Sequence, residues 1–294
     1  MVDLDTAADF MATHARLLDR RRFDIVVRGA APDAALAALE AHRNPDGGYG
    51  WGLEPDLRST SSQPGPALHA FEVFEDVAPA TSPRAIELCD WLGAHALPDG
   101  GVPFGLPLDD AAGCAPFWAR ADPTVSSLQI TAIVAAVAHG VAAHDPAVAA
   151  HPWLERATRY CLEASAAIGE DPFALELAFA IRLLDAAHGA YPEAADLVAR
   201  LGRHIPPGGS MHVRGGLEDE MMRPLDFAPY PGGPARELFS PEAIDADLQR
   251  LVDGQRDDGG WAVDYASYSP AAALEWRGHI TVRAVSILKR NSII

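Results

Sequence analysis

A short sequence pattern recurs at a regular spacing and constrains the fold more than any other feature of the chain. An aspartate followed by two glycines occupies residues 46–48, 99–101 and 258–260. The second copy follows the first by 53 residues, and the third follows the second by 159, three times that interval. The same period predicts degenerate copies near positions 152 and 205, where residues 206–210 fit and residues 151–153 offer only a break. Such periodicity indicates repeated supersecondary units.

Each copy lies between two helical patterns of different character. The segments before the copies are amphipathic and carry proline near their start, where its missing N–H costs nothing: residues 32–42, 83–96 and 241–254. The segments after them are apolar over more of their circumference, which is typical of buried helices: residues 66–74, 124–139 and 270–288. Further helices are predicted at residues 4–21, 146–167, 172–188 and 192–204.

Alternating amphipathic and apolar helices predict an all-α fold in which an outer ring of helices surrounds an inner ring. We therefore expect one α/α toroid domain over residues 1–294, with about ten to twelve helices. Residues 211–214 are compatible with a strand. Residues 215–239 are broken by prolines and glycines; they form either a lid over the barrel mouth or a surface excursion. Every Asp-Gly-Gly loop should emerge at the same end of such a barrel.

Composition excludes several partner classes. The formal net charge is −18 and the sequence pI is about 4.9, so the chain repels nucleic acid and anionic lipid, and no nucleic-acid partner is expected. Three aspartates among the first nine residues do not fit a signal peptide, and no stretch has the length of a membrane-spanning helix, so we expect a cytoplasmic protein. The three cysteines suggest neither a disulfide framework nor a zinc cluster.

The third repeat carries a family resemblance. Gln255, Gly259 and Trp261 reproduce the Gln-x-x-x-Gly-x-Trp repeat of the squalene and hopene cyclases, and the other two copies keep only the glycines. The chain thus resembles the terpene cyclase and protein prenyltransferase superfamily, in particular short bacterial proteins described as squalene-cyclase-like. The resemblance implies an α/α toroid and, by analogy, a metal-independent isomerase or lyase acting on an apolar or isoprenoid small molecule.

Two pairs of carboxylates could supply the acid that such a cyclase needs. In the family, the middle aspartate of Asp-x-Asp-Asp protonates the substrate, and the nearest counterpart here is Asp109 with Asp110, although proline replaces the first aspartate. The rival pair, Glu54 and Asp56, flanks a proline just after the first repeat. Arg58 follows closely, so an ion pair within this loop is expected, and Arg58 is also predicted to bind substrate.

A third group of candidate residues follows the last repeat. Asp264 and Tyr265 precede the final helix, and Glu275, Trp276 and His279 lie near its beginning, where a helix N-terminus favours anions. Aromatic residues beside the other loops, Trp51 and Trp118 among them, suit an apolar intermediate or a sugar ring, or simply seal the barrel end. These residues are predicted to bind substrate.

Metal and cofactor motifs are missing from the sequence. The Asp-x-Cys of the zinc-dependent prenyltransferases and the Asp-Asp-x-x-Asp of the magnesium-dependent synthases are not found, nor is a phosphate-binding glycine loop. The sequence therefore predicts no metal and no cofactor.

Three functions remain open at this point. The first is proton-initiated cyclisation of an isoprenoid, which in so short a chain requires a smaller substrate, a lid, a partner protein or a homodimer. The second is carbohydrate chemistry by paired carboxylates, which other α/α toroids perform. The third is a non-catalytic binding or scaffold protein.

Overall fold

The helical patterns fold into fourteen α-helices in the computed structural model, which describes residues 1–294. Their bounds are α1 Leu4–His14, α2 Leu17–Arg28, α3 Asp33–Leu39, α4 Pro64–Asp76, α5 Pro83–His95, α6 Pro116–Ala119, α7 Leu128–Ala142, α8 Pro146–Ala149, α9 Pro152–Ala166, α10 Ala174–Ala187, α11 Glu193–Leu201, α12 Pro224–Phe227, α13 Pro241–Asp253 and α14 Pro270–Arg290. Two short strands, β1 (Met211–His212) and β2 (Met221–Met222), pair antiparallel. The all-α prediction is confirmed, but the predicted number of about ten to twelve helices was too low.

Local capping explains where the main helices begin. Proline occupies the first turn of α4, α5, α9, α13 and α14, where its missing N–H is not needed. The serine side chains that precede four helices accept a hydrogen bond from a backbone N–H of the first turn: Ser82, Ser127, Ser240 and Ser269.

Two predicted helices are each divided in two, so these predictions were wrong in extent. The segment 4–21 breaks at Ala15, because Arg16 turns to donate to the Leu53 carbonyl (2.9 Å) and to Asp19 (2.8 Å), while Arg20 donates to the Ala15 carbonyl (3.0 Å). The segment 146–167 breaks before Pro152, where His151 is extended and caps the new helix. After the first break, α2 packs against α4 and α14.

Helices α4, α7, α10 and α14 carry much of a continuous core of 63 buried apolar residues. Helix α7 packs against α4, α9 and α10, and α2 packs against both α4 and α14. The last helix, α14, also packs against α1 and α13. No helix is both long enough and apolar enough to span a membrane.

The three Asp-Gly-Gly copies form the same tight turn. The first glycine of each copy, Gly47, Gly100 and Gly259, has a positive φ of 91°, 95° and 89°. Its N–H bonds to the carbonyl three residues earlier. A left-handed backbone and close contact with a neighbouring helix both favour glycine here, because an added Cβ would lie 3.1 Å or less from a backbone oxygen of α5, α9 or α1 respectively.

A fourth turn of this kind occurs without the aspartate. Gly209 has a φ of 76°, and its N–H bonds to the Pro206 carbonyl at 2.8 Å. The degenerate copy predicted near position 205 therefore keeps the backbone turn, while position 152 begins helix α9 instead.

The aspartates of the repeat hold their own turns. Asp46 accepts hydrogen bonds from the Gly48 N–H (3.0 Å), the Ser62 hydroxyl (2.8 Å) and the Trp91 indole N–H (3.1 Å). Asp99 and Asp258 likewise bond to the second glycine of their copies. The repeat residues are thus structural.

Replacing Asp46 by alanine is expected to lower the free energy of unfolding by about 2 kcal/mol, because three hydrogen bonds are lost at a partly exposed site. Urea denaturation followed by circular dichroism measures this change. Asp257→Ala, at an exposed aspartate without side-chain bonds, is the control and should change the stability by less than about 0.5 kcal/mol. Equal stability of Asp46→Ala and the control would contradict the structural role.

Candidate active site

The loop after the first turn is anchored so that Glu54 and Asp56 point inward. Arg16 donates to the Leu53 carbonyl (2.9 Å), and the Asp56 carbonyl accepts from the Ala115 N–H (2.8 Å). Both carboxylic side chains are buried, with Glu54 6% and Asp56 3% exposed. Burying two carboxylic acids in one loop costs free energy unless each of them forms hydrogen bonds, and both do.

Asp56 is held by two N–H donors from the C-terminal part of the chain. Its Oδ2 accepts from the Trp276 indole N–H at 2.7 Å, and its Oδ1 accepts from the Tyr268 backbone N–H at 2.9 Å. Burial raises the pKa of Asp56 above its ordinary value, and the two hydrogen bonds only partly oppose this. The surroundings of Asp56 therefore favour its protonated form more than water does.

Glu54 contacts a histidine that the sequence analysis did not consider. Its Oε2 lies 2.7 Å from Nε2 of His69 on α4, and Nδ1 of His69 lies 3.1 Å from Oε2 of Glu72, one turn further along that helix. Burial by itself would lower the pKa of His69, but the two glutamates outweigh it and raise the pKa to about 9. His69 thus bridges two carboxylates.

Glu72 is the centre of a buried polar cluster formed by α2, α4 and α14. Its Oε2 lies 3.2 Å from Nη1 of Arg22 and 3.6 Å from Nδ1 of His279. Arg22 also pairs with Asp76 at 2.6 Å. Burial would raise the pKa of Glu72, but the charges of His69 and Arg22 reverse this and hold it well below its usual range. For His279, burial lowers the pKa to about 3, so this ring is neutral.

Charged and aromatic groups continue from this cluster along α14. Trp276, His279 and Arg283 share one face of the helix, because they are spaced three and four residues apart. The Trp276 ring meets the rings of Tyr265, His69 and His279 edge-on at 5.3, 5.8 and 5.5 Å. Beyond them, Arg283 pairs with Asp226 at 2.8 Å.

The structure brings together one part of the predicted site. Glu54, Asp56, Tyr265, Trp276 and His279 are joined by the contacts above. Glu275 lies at their edge, where its Oε1 is 3.0 Å from Nη2 of Arg58. The ion pair predicted within the Glu54–Arg58 loop is not formed, because Arg58 turns to α14 instead.

The remaining predicted residues lie outside this cluster. Asp109 and Asp110 are exposed, and Asp110 accepts from the N–H of Ala112 at 2.8 Å. Trp51 is 54% exposed and its indole N–H bonds to Asn44. Trp118 is buried against Phe104, with ring centroids 4.5 Å apart, and Asp264 pairs with Arg223.

Four residues of the cluster were missed by the sequence analysis: Arg22, His69, Glu72 and Asp76. A signal for three of them was present. His69, Glu72 and Asp76 are spaced three and four residues apart in a helix that is otherwise mostly apolar, so they form a polar stripe on one face. A stripe of charge on a buried helix requires partners, and these are supplied by α2 and α14.

Comparison of the sequence with protein-family models and with curated proteins gives no match. The cluster of side chains around Glu54 and Asp56 is therefore the feature of the chain that bears on its function.

Proposed function

We propose that the helices form a closed α/α toroid and that the cluster around Glu54 and Asp56 is its active site. Successive packing of α2, α4, α7, α10, α12, α13 and α14, with α14 back against α2, supports a closed ring. The last Gly-Gly turn presses against α1 just as the first presses against α5, which supports closure of the outer layer as well. Resemblance to the terpene cyclase superfamily points to the same fold.

We propose further that the protein is an acid–base enzyme for a saccharide or a similar polyhydroxylated molecule. The observation that carries this proposal is the charge of the site. Two ion pairs, Arg22 with Glu72 and Arg283 with Asp226, extend the cluster, and Glu72, Asp226 and Arg283 keep 20%, 19% and 35% of their side-chain surface exposed. An apolar chain placed against these groups would strip them of water without replacing its hydrogen bonds, whereas hydroxyl groups would replace them.

Asp56 is the proton donor in this proposal, and Glu54 is the second carboxylate. The environments of these two acids differ: Asp56 accepts only neutral N–H donors, while Glu54 bonds to the His69 ring. Paired carboxylates in unlike environments are the usual arrangement for acid and base roles. Trp276 and Tyr265 present aromatic rings beside Asp56, as expected for contact with a sugar ring.

One observation favours isoprenoid cyclisation as a second candidate. Asp56 is a buried acid with a raised pKa, and the Trp276 and Tyr265 rings beside it could stabilise a carbocation. In this alternative Asp56, rather than Asp109, is the acid, because Asp109 is exposed and lies outside the cluster.

The two candidates are separated by incubation of the purified protein with substrates of each class. We expect NMR in D2O to show cleavage, elimination, epimerisation or deuterium uptake in at least one member of a panel of neutral and acidic sugars. Geranyl, farnesyl and geranylgeranyl diphosphates and squalene should give no new hydrocarbon or alcohol. The reverse result would favour the cyclase, and no turnover in either panel would favour a binding protein.

Substitution of Asp56 tests its role. Asp56→Asn, which keeps the shape and loses the acid, should lower kcat/KM by at least about 100-fold. Asp109→Asn, at the exposed aspartate, is the matched control and should change it by less than about twofold. Retained activity in Asp56→Asn would exclude this residue as the acid.

The pH profile gives a second test of the same residue. Because Asp56 must be protonated to act, kcat/KM should fall as the pH rises through its pKa, which lies above the ordinary 3.8. If kcat/KM instead rises as the pH rises through the pKa of Asp56, the ionised form is required and Asp56 is a base.

A further inference from the structure

We propose that His69, Glu72 and His279 bind a divalent transition-metal ion, with zinc as the expected metal. One ligand atom from each residue lies within 4.8 Å of the other two. Oε2 of Glu72 is 3.1 Å from Nδ1 of His69 and 3.6 Å from Nδ1 of His279. Two ligands at about 2.1 Å from a tetrahedral zinc lie about 3.4 Å from each other, so both distances already suit a shared ion.

The residue types match the ion as well as the distances do. Two imidazoles and one carboxylate form a set that zinc uses where it keeps an open position, and a fourth ligand would be water or substrate. The ligands come from two buried helices, α4 and α14, so they are held by packing. The ring centroids of the two histidines are 5.0 Å apart and nearly perpendicular, which lets both rings direct a nitrogen toward Glu72.

Glu54 provides the second layer that a metal-bound histidine normally has. With Nδ1 of His69 on the ion, Nε2 carries the ring proton and donates it to Oε2 of Glu54 at 2.7 Å. A carboxylate in this position fixes the tautomer and orientation of the ring and strengthens it as a ligand.

The charges of the cluster call for a cation. When a neutral His69 ring binds the ion, three carboxylates of the connected network, Glu54, Glu72 and Asp76, face one guanidinium group, that of Arg22. One divalent ion then balances the two surplus negative charges. Buried charges of one sign are rarely left uncompensated.

Arg22 occupies part of this space in the structure. Its Nη1 lies 3.2 Å from Oε2 of Glu72 and 3.3 Å from Nδ1 of His279, so it contacts two of the three ligands. Its Nε donates to Asp76 at 2.6 Å. This bond holds the guanidinium beside the cluster when Nη1 moves away to admit the ion.

The inference stands independently of the acid–base proposal, because it concerns binding alone. It departs from the sequence-based prediction of no metal for a simple reason: His279 follows Glu72 by more than two hundred residues, so no local spacing reveals the set.

Isothermal titration of chelator-treated full-length protein with zinc chloride tests the proposal. We expect one equivalent to bind with micromolar or tighter affinity, and cobalt(II) to give the intense visible absorption of a four-coordinate site. His279→Gln and Glu72→Gln should each weaken binding at least about 100-fold, and Glu54→Gln about 10- to 100-fold. His139→Gln, at a histidine on α7 that bonds to Thr158, is the matched control and should leave binding unchanged.

Circular dichroism of each variant without metal verifies that the fold is retained. If one ligand variant does not fold, the other ligand variant and Glu54→Gln carry the test. Wild-type protein that binds no zinc at 100-micromolar concentration would overturn the proposal, as would binding that His279→Gln and Glu72→Gln leave intact. Zinc should also raise the melting temperature of the wild type and not that of the ligand variants.

Discussion

Replacing Gly259 by alanine is expected to lower the free energy of unfolding by about 4 kcal/mol or more. An added Cβ would lie 2.1 Å from the carbonyl oxygen of Thr6 in α1, far inside van der Waals contact. Overpacking of this kind costs about 1–3 kcal/mol and occasionally more, and the left-handed φ of 89° adds about 1–2 kcal/mol for any residue with a Cβ. Urea denaturation of both proteins measures the difference.

Gly29→Ala separates the two contributions. Gly29 also has a positive φ, 63°, but an added Cβ would meet nothing within 4 Å, so this variant should lose only about 1 kcal/mol. Equal losses in the two variants would mean that the contact with α1 has little energetic weight.

Gly259→Ala also tests the contact between the last repeat and the N-terminal helix α1. Gln255 donates to the Asp3 carbonyl (2.7 Å) and accepts from the Asp3 N–H (2.8 Å), so the last repeat holds the first helix from two sides. Because α1 is terminal, it can relieve the clash by moving away. Relative to the wild type, Gly259→Ala should therefore increase the rate of amide hydrogen exchange more in α1 than in α7. The turn at Gly259 contacts α1 and does not contact α7.

Local physics made most helices predictable from the sequence. Proline is the first residue of α5, α13 and α14, and Gly254 directly follows the last residue of α13. The break at Ala15 was not predictable, because it depends on a bond from Arg16 to a carbonyl 37 residues away. Apolar periodicity continues across that point and gives no local sign of it.

Only the part of the candidate site that follows the Asp-Gly-Gly turns was predictable from the sequence. The repeats placed Glu54, Asp56 and Trp276 near one another, and the Asp56–Trp276 bond joins residues 220 positions apart. His69 and Glu72 were missed because the segment that forms α4 was predicted to be a buried helix from its apolar residues, and its polar residues were not considered. Asp109 was predicted from its neighbour Asp110 and from the family motif, but both residues are exposed and lie outside the cluster.

One cluster of charged side chains joins α2, α4 and α14, and this has a consequence for stability. Arg22 is only 8% exposed and pairs with both Glu72 and Asp76. Replacing Arg22 by methionine, which keeps much of its apolar length, is expected to lower the free energy of unfolding by about 3–5 kcal/mol. The reason is that Glu72 and Asp76, whose side chains are only 20% and 14% exposed, lose their charged partner and regain only part of their hydration.

Two comparisons show whether uncompensated charge causes that loss. Arg28→Met, at a 61% exposed arginine paired with Asp24 on the same helix, should change the stability by less than about 0.5 kcal/mol. The double variant Arg22→Met with Asp76→Asn should be more stable than Arg22→Met alone by about 1 kcal/mol or more, because one of the stranded charges is gone. If instead the second substitution adds its own loss, the arginine stabilises the fold through packing, and the polar cluster is not an electrostatic unit. Denaturation with a chelator present keeps both measurements on the metal-free protein.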